Sequence, residues 1–204
     1  MKWYVQMASA MLLIAGIPAC SPTMSATQTN ISTSQPTSTV LFHPLSTRTG
    51  IEEIDHVLNA LGDIQELRSL IQLTSTGCTK RDGLGGPPKC LPGEGEGTPV
   101  EVLPFLGPEG YFLRKDEIKD WQGFDTSGLL AIYEVSSNAY SDENYPAGHY
   151  AILFGGMENE PAVSLRVQDG RIVRVDYLFD NSPESLDEVL RREAAKLILA
   201  PVAR

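Results

Sequence analysis

Apolar residues recur at helical spacing in two adjacent segments of the chain. Between residues 50 and 61 they return every three or four positions, which predicts an amphipathic helix. Gly62 ends this pattern, and Asp63 with Glu66 three residues later is a capping-box signal for the start of a second helix. The apolar positions of the two helices are Ile51, Ile54, Val57, Leu58 and Leu61, then Ile64, Leu67, Leu70 and Ile71.

The C-terminal half changes to a period of two, which is typical of strands. Four strand-like runs cover residues 129–135, 149–154, 162–168 and 171–179, and Asp169-Gly170 predicts a tight hairpin between the last two. We expect a sheet with one buried side. The predicted buried positions are Val163, Leu165, Val167, Val173, Val175 and Tyr177, with Phe179 on the same face as the last three. The predicted solvent-facing positions are Ser164, Arg166, Arg174 and Asp176.

The remaining patterns are shorter. Strands are predicted at residues 100–103 and 111–114, separated by a turn at 107–110, and a short helix is predicted at 115–121. A last helix begins near Pro183, and its early acidic and later basic residues suit the helix dipole. Its predicted apolar face is Leu186, Val189, Leu190, Leu197 and Ile198.

The N-terminus carries an export signal. Residues 7–16 are apolar but too short to span a bilayer, and they have the length of a signal-peptide core. Ile17-Pro18-Ala19-Cys20 resembles the lipobox of bacterial lipoproteins, although Pro18 departs from the usual pattern. The resemblance implies a signal peptide at 1–19 and lipid on Cys20, which would attach the protein to a membrane. The alternative is ordinary cleavage after Ala19, which leaves a free thiol.

The organisation that follows is one tether and one domain. Residues 20–40 begin with Cys20 and continue with small polar residues that cannot bury enough apolar surface to fold. Residues 41–204 have the length of a single domain. We therefore expect a lipid-anchored domain on the extracytoplasmic side of a membrane in the cell envelope.

The net charge narrows the choice of partners. The chain carries a formal charge of −10, and removal of residues 1–19 takes away Lys2 and no acidic residue. So acidic a domain is repelled by nucleic acid phosphates and gains nothing from anionic lipid headgroups. An envelope protein or a small molecule is the expected partner, and the sequence does not indicate an oligomeric state.

Two cysteines bracket a loop rich in glycine and proline. Cys78 and Cys90 are close in sequence, and in an exported protein such a pair predicts a disulfide. A metal site is the alternative, but the segment lacks a CxxC motif and any histidine. The stretch Glu94-Gly95-Glu96-Gly97 offers carboxylates for calcium without the spacing of a calcium-binding loop.

The helix pattern of residues 54–70 and the hairpin pattern of residues 167–177 resemble the nuclear transport factor two-like fold, the cystatin-like cone shared by SnoaL-like proteins. The resemblance implies an α+β fold with a cone-like curved antiparallel sheet packed on N-terminal helices, and a pocket between them. The Cys78–Cys90 loop and the added C-terminal helix depart from that pattern. The alternative fold is another single-sheet α+β sandwich.

No motif for a metal protease, a phosphate loop or a serine nucleophile occurs in the chain. We therefore predict no catalytic residue, no metal and no cofactor, and a non-catalytic binding or interaction module. The alternative is an extracytoplasmic lyase, isomerase or hydrolase that uses His149 or Asp176 as a base beside a tyrosine. The residues that could line the implied pocket are Tyr111, Tyr133, His149, Tyr150, Asp176 and Tyr177.

Overall fold

One mixed sheet of eight strands organises the computed structural model of the chain, and the predicted α+β class is confirmed. The strand order is β1-β2-β7-β6-β5-β4-β8, with β3 paired to β2; the β2–β7 pair is parallel and the other pairs are antiparallel. The strands are β1 (Thr74–Gly77), β2 (Pro99–Leu106), β3 (Tyr111–Arg114), β4 (Gly128–Val135), β5 (Tyr150–Gly155), β6 (Val163–Gln168), β7 (Arg171–Tyr177) and β8 (Ala194–Leu199). The described residues are 42–83, 86–107, 109–124, 128–156, 161–178 and 182–202.

The α-helices begin where the sequence supplies side-chain caps or an apolar stripe. The helices are α1 (Glu52–Ala60), α2 (Ile64–Ser69) and α3 (Pro183–Glu193), with a 3-10 helix at Ile118–Asp120. The backbone N–H of Gln65 donates to Asp63 Oδ1 at 2.8 Å, which satisfies one of the free donors at the start of α2. The two predicted N-terminal helices are confirmed.

Helices α1 and α2 bury their apolar side chains against one face of the sheet. Each fully buried aliphatic or aromatic side chain contributes about 1.5–3 kcal/mol of transfer free energy. This first core includes Ile54, Val57 and Leu67 from the helices, and Leu103, Phe105, Ile132, Ile152, Leu165 and Val175 from the sheet.

The opposite face of the sheet is also buried, so the prediction of one solvent-facing side was wrong. Leu186 and Leu190 of α3 pack on apolar side chains of β4 and β5. Asp176 is 3 % exposed, and its neighbours Arg166 and Arg174 are equally enclosed. Alternation correctly separates these polar residues from the apolar ones, but it cannot show that Glu193 and the loop before β5 enclose them.

The β6–β7 hairpin forms at Asp169-Gly170 as predicted. These two residues have φ values of 51° and 70°, the left-handed pair that a two-residue type I′ turn requires. An irregularity after Arg166 changes the register, so that Val167 pairs with Ile172 while Leu165 pairs with Val175. Consequently Ile172 joins Val175 in the first core, whereas Val173 is buried as predicted but does not belong to that core.

The C-terminal helix is shorter than predicted. It ends at Glu193, and the next residues form β8, which pairs with β4. Leu197 and Ile198 therefore lie on a strand, and their assignment to a helix face was wrong. The apolar run at 194–199 is so short that its period does not distinguish a helix from a strand. Its pairing with β4 makes it a strand.

The predicted export features of the sequence lie outside the described residues. These are the predicted signal peptide at 1–19 and the predicted tether at 20–40 with Cys20; Phe179 also lies outside the described residues. All the described residues belong to one compact unit within Ser38–Arg204. None of the helices that the structure describes is long and apolar enough to cross a membrane.

Candidate functional site

The space between the helices and the sheet, where the resemblance implies a pocket, is filled by apolar side chains. Ile54 of α1 and Phe105 and Val175 of the sheet are each fully buried there. Tyr150 and Tyr177 are half-buried and pack at the margin of this core. These side chains hold α1 and α2 in place by the hydrophobic effect, and they occupy the volume that a substrate would need.

The six predicted pocket residues are divided among separate places. Tyr133 and Asp176 lie in a buried polar network beneath α3. His149 lies just before β5, within 4.0 Å of Glu53. Tyr111 and Tyr177 lie together, since both stack on Phe105, and Tyr150 lies at the core margin.

The polar network beneath α3 joins two arginines to two carboxylates. Arg166 Nε donates to Asp176 Oδ2 at 2.7 Å, and Arg174 Nε donates to Asp176 Oδ1 at 2.6 Å. Arg166 also donates to Glu193 at the end of α3. The backbone carbonyl of Tyr140 accepts from Arg174 Nη1 at 2.8 Å. The network therefore ties β6 and β7 to α3 and to the loop before β5.

The charges of this network are fixed by their partners. Burial alone would raise the pKa of Glu193, but the guanidinium groups of Arg166 and Arg192 hold that pKa below its usual range. Burial raises the pKa of Tyr133 to about 12, so its hydroxyl stays neutral. A strongly stabilised carboxylate and a neutral phenol are poor proton acceptors near pH 7. Glu193 and Tyr133 are therefore held in the network as a carboxylate and a neutral phenol.

Three aromatic rings form a stack that reaches the surface. The ring centroids of Phe105 and Tyr111 are 4.3 Å apart and those of Phe105 and Tyr177 are 6.0 Å apart. Burial raises the pKa of Tyr111, whose hydroxyl also bonds to that of Tyr177. The exposed part of Tyr111 is therefore a rigid ring with a firmly protonated hydroxyl.

Tyr111 lies beside an apolar groove of about 390 Å³. We call it the disulfide groove, because one wall is the segment that contains Cys90. The residues that define it are Pro87, Pro88, Leu91, Tyr111, Phe112 and Arg114. Leu91 and Tyr111 are each 47 % exposed, so two large apolar groups face solvent across this groove.

The wall of the disulfide groove is cross-linked. The predicted disulfide is present, with the sulfur atoms of Cys78 and Cys90 2.01 Å apart. Arg114 Nη2 of β3 pairs with Glu94 Oε1 at 2.5 Å, and Arg114 Nη1 donates to the carbonyl oxygen of Lys89 at 3.2 Å. A segment with no regular secondary structure is thus fixed to the sheet by covalent, ionic and hydrogen bonds.

The two glutamates that could have bound calcium are engaged within the protein. The side-chain hydrogen bond from Arg114 lowers the pKa of Glu94, and the backbone N–H of Lys80 lowers the pKa of Glu96. Glu96 Oε1 also accepts from Thr79 Oγ1 at 2.9 Å. Their carboxylates hold the loop in place through these contacts.

A second, acidic groove of about 500 Å³ runs along α1 and α2. Glu52, Asp55, His56 and Glu66 line it. Asp55 is committed to the fold, since its Oδ1 accepts from the backbone N–H of Thr49 at 2.8 Å. This groove is more polar and less pre-shaped for an apolar ligand than the disulfide groove.

Sequence reasoning singled out His149 but missed its neighbours. One ligand atom each from Glu53, His149 and Asp169 lies within 4.8 Å of the others. The three residues come from α1, the residue before β5 and the β6–β7 turn, so no local spacing could reveal them. We call them the His149 cluster.

The chain's relation to known proteins gives no further guidance. No protein-family model, curated protein or solved structure matches the chain. An α+β fold by itself supports both enzymes and binding modules, so it does not choose between them. A function can be inferred only from the chain's own residues and their geometry.

Proposed function

We propose that this chain is an exported lipoprotein whose folded domain is a non-catalytic binding module for a partner in the cell envelope. The disulfide groove carries the proposal, because it is an apolar concave surface that is already fixed in shape. The lipid on Cys20 and the tether to residue 40 would hold this surface on the extracytoplasmic side of the membrane. The short apolar segment at residues 7–16 and the Ala19-Cys20 pair support that location.

The filled interior supports a binding role over a catalytic one. An enzyme of the kind implied by the resemblance would need an open cavity with a base inside it. Ile54, Phe105 and Val175 close that space, and Asp176 is held by two arginines on the other face of the sheet. The residues that could share acid–base work lie in different parts of the domain.

The rigidity of the disulfide groove supports a recognition role. A loop that is ordered before binding loses less conformational freedom when the partner arrives, so more of the contact energy appears as affinity. An exposed tyrosine whose ring is held in place by packing is a common binding hot spot. Tyr111, which stacks on Phe105, and Leu91 beside the disulfide have both properties.

Charge indicates which partner would fit. The chain as a whole is acidic, with a net charge of −10, and Glu109 and Glu117 line one part of the groove, but Lys80, Arg81 and Lys89 expose three cationic groups along its disulfide side. A negatively charged segment is attracted to such a patch and aligned by it. The proposed ligand is a segment of an envelope protein that presents one large apolar side chain flanked by carboxylates.

Anchoring would strengthen such an interaction. A domain on a short neutral tether samples a small volume above the membrane, which raises its concentration near other envelope proteins. A modest intrinsic affinity for a membrane-bound partner would then suffice.

The finer fold assignment is part of the same proposal. We infer that the sheet curves around α1 and α2 as in the nuclear transport factor two-like and SnoaL-like proteins. The packing of both helices on one face and the antiparallel run from β4 to β7 support this.

Peptide binding tests the proposed surface. Fluorescent peptides with one Phe or Leu between Asp and Glu residues are titrated with the full chain in detergent, beside peptides whose carboxylates are replaced by amides. The acidic peptides should bind more tightly than the amide peptides, and added salt should lower their affinity. Leu91→Ala should reduce affinity by about tenfold, as removal of a hot-spot side chain does. Leu197→Ala is the matched control, since Leu197 is 45 % exposed on β8.

Two results would contradict the proposal. Equal affinity for acidic and amide peptides would show that charge does not contribute to binding. Equal losses of affinity in Leu91→Ala and Leu197→Ala would show that the groove is not the binding surface. A substrate screen addresses catalysis separately. Turnover by the wild type that a folded His149→Ala variant loses would establish an enzyme.

A further inference from the structure

We propose that Glu53, His149 and Asp169 bind a divalent transition metal, with Zn²⁺ as the best fit to their donor atoms. This assignment is independent of the disulfide groove, which lies on other residues. One imidazole nitrogen and two carboxylate oxygens lie within 4.8 Å of one another. The convergence of these three donors, together with a buried carboxylate oxygen that has no hydrogen bond, carries the inference.

The backbone around His149 is fixed by strand pairing. Its N–H donates to the carbonyl of Val167 at 2.7 Å, and its carbonyl accepts from the N–H of Val135 at 2.9 Å. The preceding Gly148 has a φ of +73°, and a Cβ there would lie 3.0 Å from the carbonyl oxygen of Val167. Only glycine allows this close approach, which places His149 at the start of β5, beside α1.

The other two donors are brought together by the packing of the hairpin on α1. Asp169 occupies the first position of the type I′ turn, with φ 51°. The next residue, Gly170, lies so close to α1 that a Cβ would be 3.9 Å from the Cα of Glu53. The turn therefore presents the Asp169 carboxylate to the first turn of α1.

Glu53 Oε2 is the second observation. This oxygen is inaccessible to solvent, although the Glu53 side chain as a whole is 35 % exposed. It has no hydrogen-bond partner among the residues that the structure describes, and it lies 4.0 Å from His149 Nδ1. A buried carboxylate oxygen without a partner is unfavourable, and native structures seldom leave one. A cation at the centre of the His149 cluster would satisfy it.

The donor set selects the metal. Imidazole suits zinc, copper, iron and nickel, whereas calcium and magnesium prefer oxygen alone. With bonds of about 2.0–2.2 Å, tetrahedral zinc ligands are about 3.3–3.6 Å apart. The side chains of His149 and Asp169 are exposed, so side-chain rotations that move the donor atoms by about 1 Å can bring them to that spacing. Three protein ligands leave the fourth position open to water or to a donor from a partner.

A second group of potential metal ligands is not available to bind a metal ion. Cys78, Cys90 and Glu94 are also close together, but the two sulfurs are joined to each other and Glu94 is paired with Arg114. A thiolate is required for metal binding by cysteine, and a disulfide supplies none.

The test is metal titration of the full chain after treatment with a chelator. Isothermal titration should show one Zn²⁺ per chain, and Zn²⁺ should raise the midpoint of thermal unfolding because it binds only the folded state. Glu53→Gln, His149→Ala and Asp169→Asn should each weaken binding by at least about tenfold, since even residues that only support a ligand have effects of that size. Asn tolerates the left-handed backbone, so Asp169→Asn keeps the turn.

Matched controls are Glu52→Gln and His56→Ala, which remove a carboxylate and an imidazole from α1 outside the cluster. Both should bind Zn²⁺ like the wild type. Co²⁺ in place of Zn²⁺ should give a visible absorption band that disappears in His149→Ala. A simple Glu53–His149 ion pair would give no such band. Absence of Zn²⁺ binding, retention of wild-type affinity in Asp169→Asn and Glu53→Gln, or binding of Ca²⁺ or Mg²⁺ alone would overturn the proposal.

Discussion

Arg166 and Asp176 form an ion pair between neighbouring strands in the interior of the protein. Arg166 Nε lies 2.7 Å from Asp176 Oδ2, and the two side chains are 2 % and 5 % exposed. Taking two charges out of water is unfavourable, and the pair persists because Arg174 and Glu193 supply further hydrogen bonds. The second face of the sheet is therefore closed by a polar network as well as by apolar packing.

Removal of Arg166 should strongly destabilise the fold. Arg166→Met leaves Asp176 and Glu193 buried with one cationic partner fewer each, which should lower the free energy of unfolding by about 3–5 kcal/mol. Urea unfolding monitored by circular dichroism measures the difference. Arg191→Met is the control, because Arg191 is exposed on α3 and should change stability by less than about 0.5 kcal/mol. Equal stability of the two variants would mean that the network is not formed.

Acidic pH should lower the free energy of unfolding of the domain, because it protonates Glu193. Its pKa in the folded protein is held below the ordinary value of 4.5, so the unfolded chain binds its proton more readily. The stabilisation is complete above pH 4.5 and is lost as the pH falls through the folded pKa. Urea midpoints measured from pH 7 to pH 3 should fall steeply at the acid end. Glu193→Gln should be less stable at pH 7 and should show a flatter acid limb; a slope equal to that of the wild type would contradict the assignment.

The disulfide should stabilise the domain as a whole. Closing a loop with a sequence separation of 12 contributes about 3 kcal/mol in the chain-entropy model. Unfolding of the wild type with and without reductant measures the effect, and the Cys78→Ala/Cys90→Ala double variant should not respond to reductant. Peptide mapping without reductant should recover the two cysteines joined. Free thiols at both positions in freshly exported protein would exclude the disulfide.

Membrane attachment should depend on Cys20. A lipid-modified cysteine at the mature N-terminus predicts that Cys20→Ser moves the protein from the membrane to the soluble fraction. Intact mass of the wild type should show the added acyl groups. If cleavage after Ala19 leaves a free thiol instead, the wild type carries no lipid and the substitution does not change its distribution.

Local sequence signals determined the elements whose residues are neighbours along the chain. The apolar stripe of residues 50–61 and the cap at Asp63 predict α1 and α2, because helix contacts join positions three and four apart. Asp169-Gly170 predicts the hairpin, because few other pairs adopt two left-handed residues in succession. Cys78 and Cys90 predict the disulfide from their spacing and the export signal.

Tertiary structure alone decided the features that depend on partners far apart in sequence. Thr74–Gly77 and Ala194–Leu199 become strands because their backbone groups find partners on β2 and β4. The polar side of β6 and β7 becomes interior because Glu193 at the end of α3 and the loop before β5 bind its two arginines, and alternation reports only that two faces differ. The His149 cluster needs α1, the residue before β5 and the hairpin turn to meet, and only the packed core brings those three segments together.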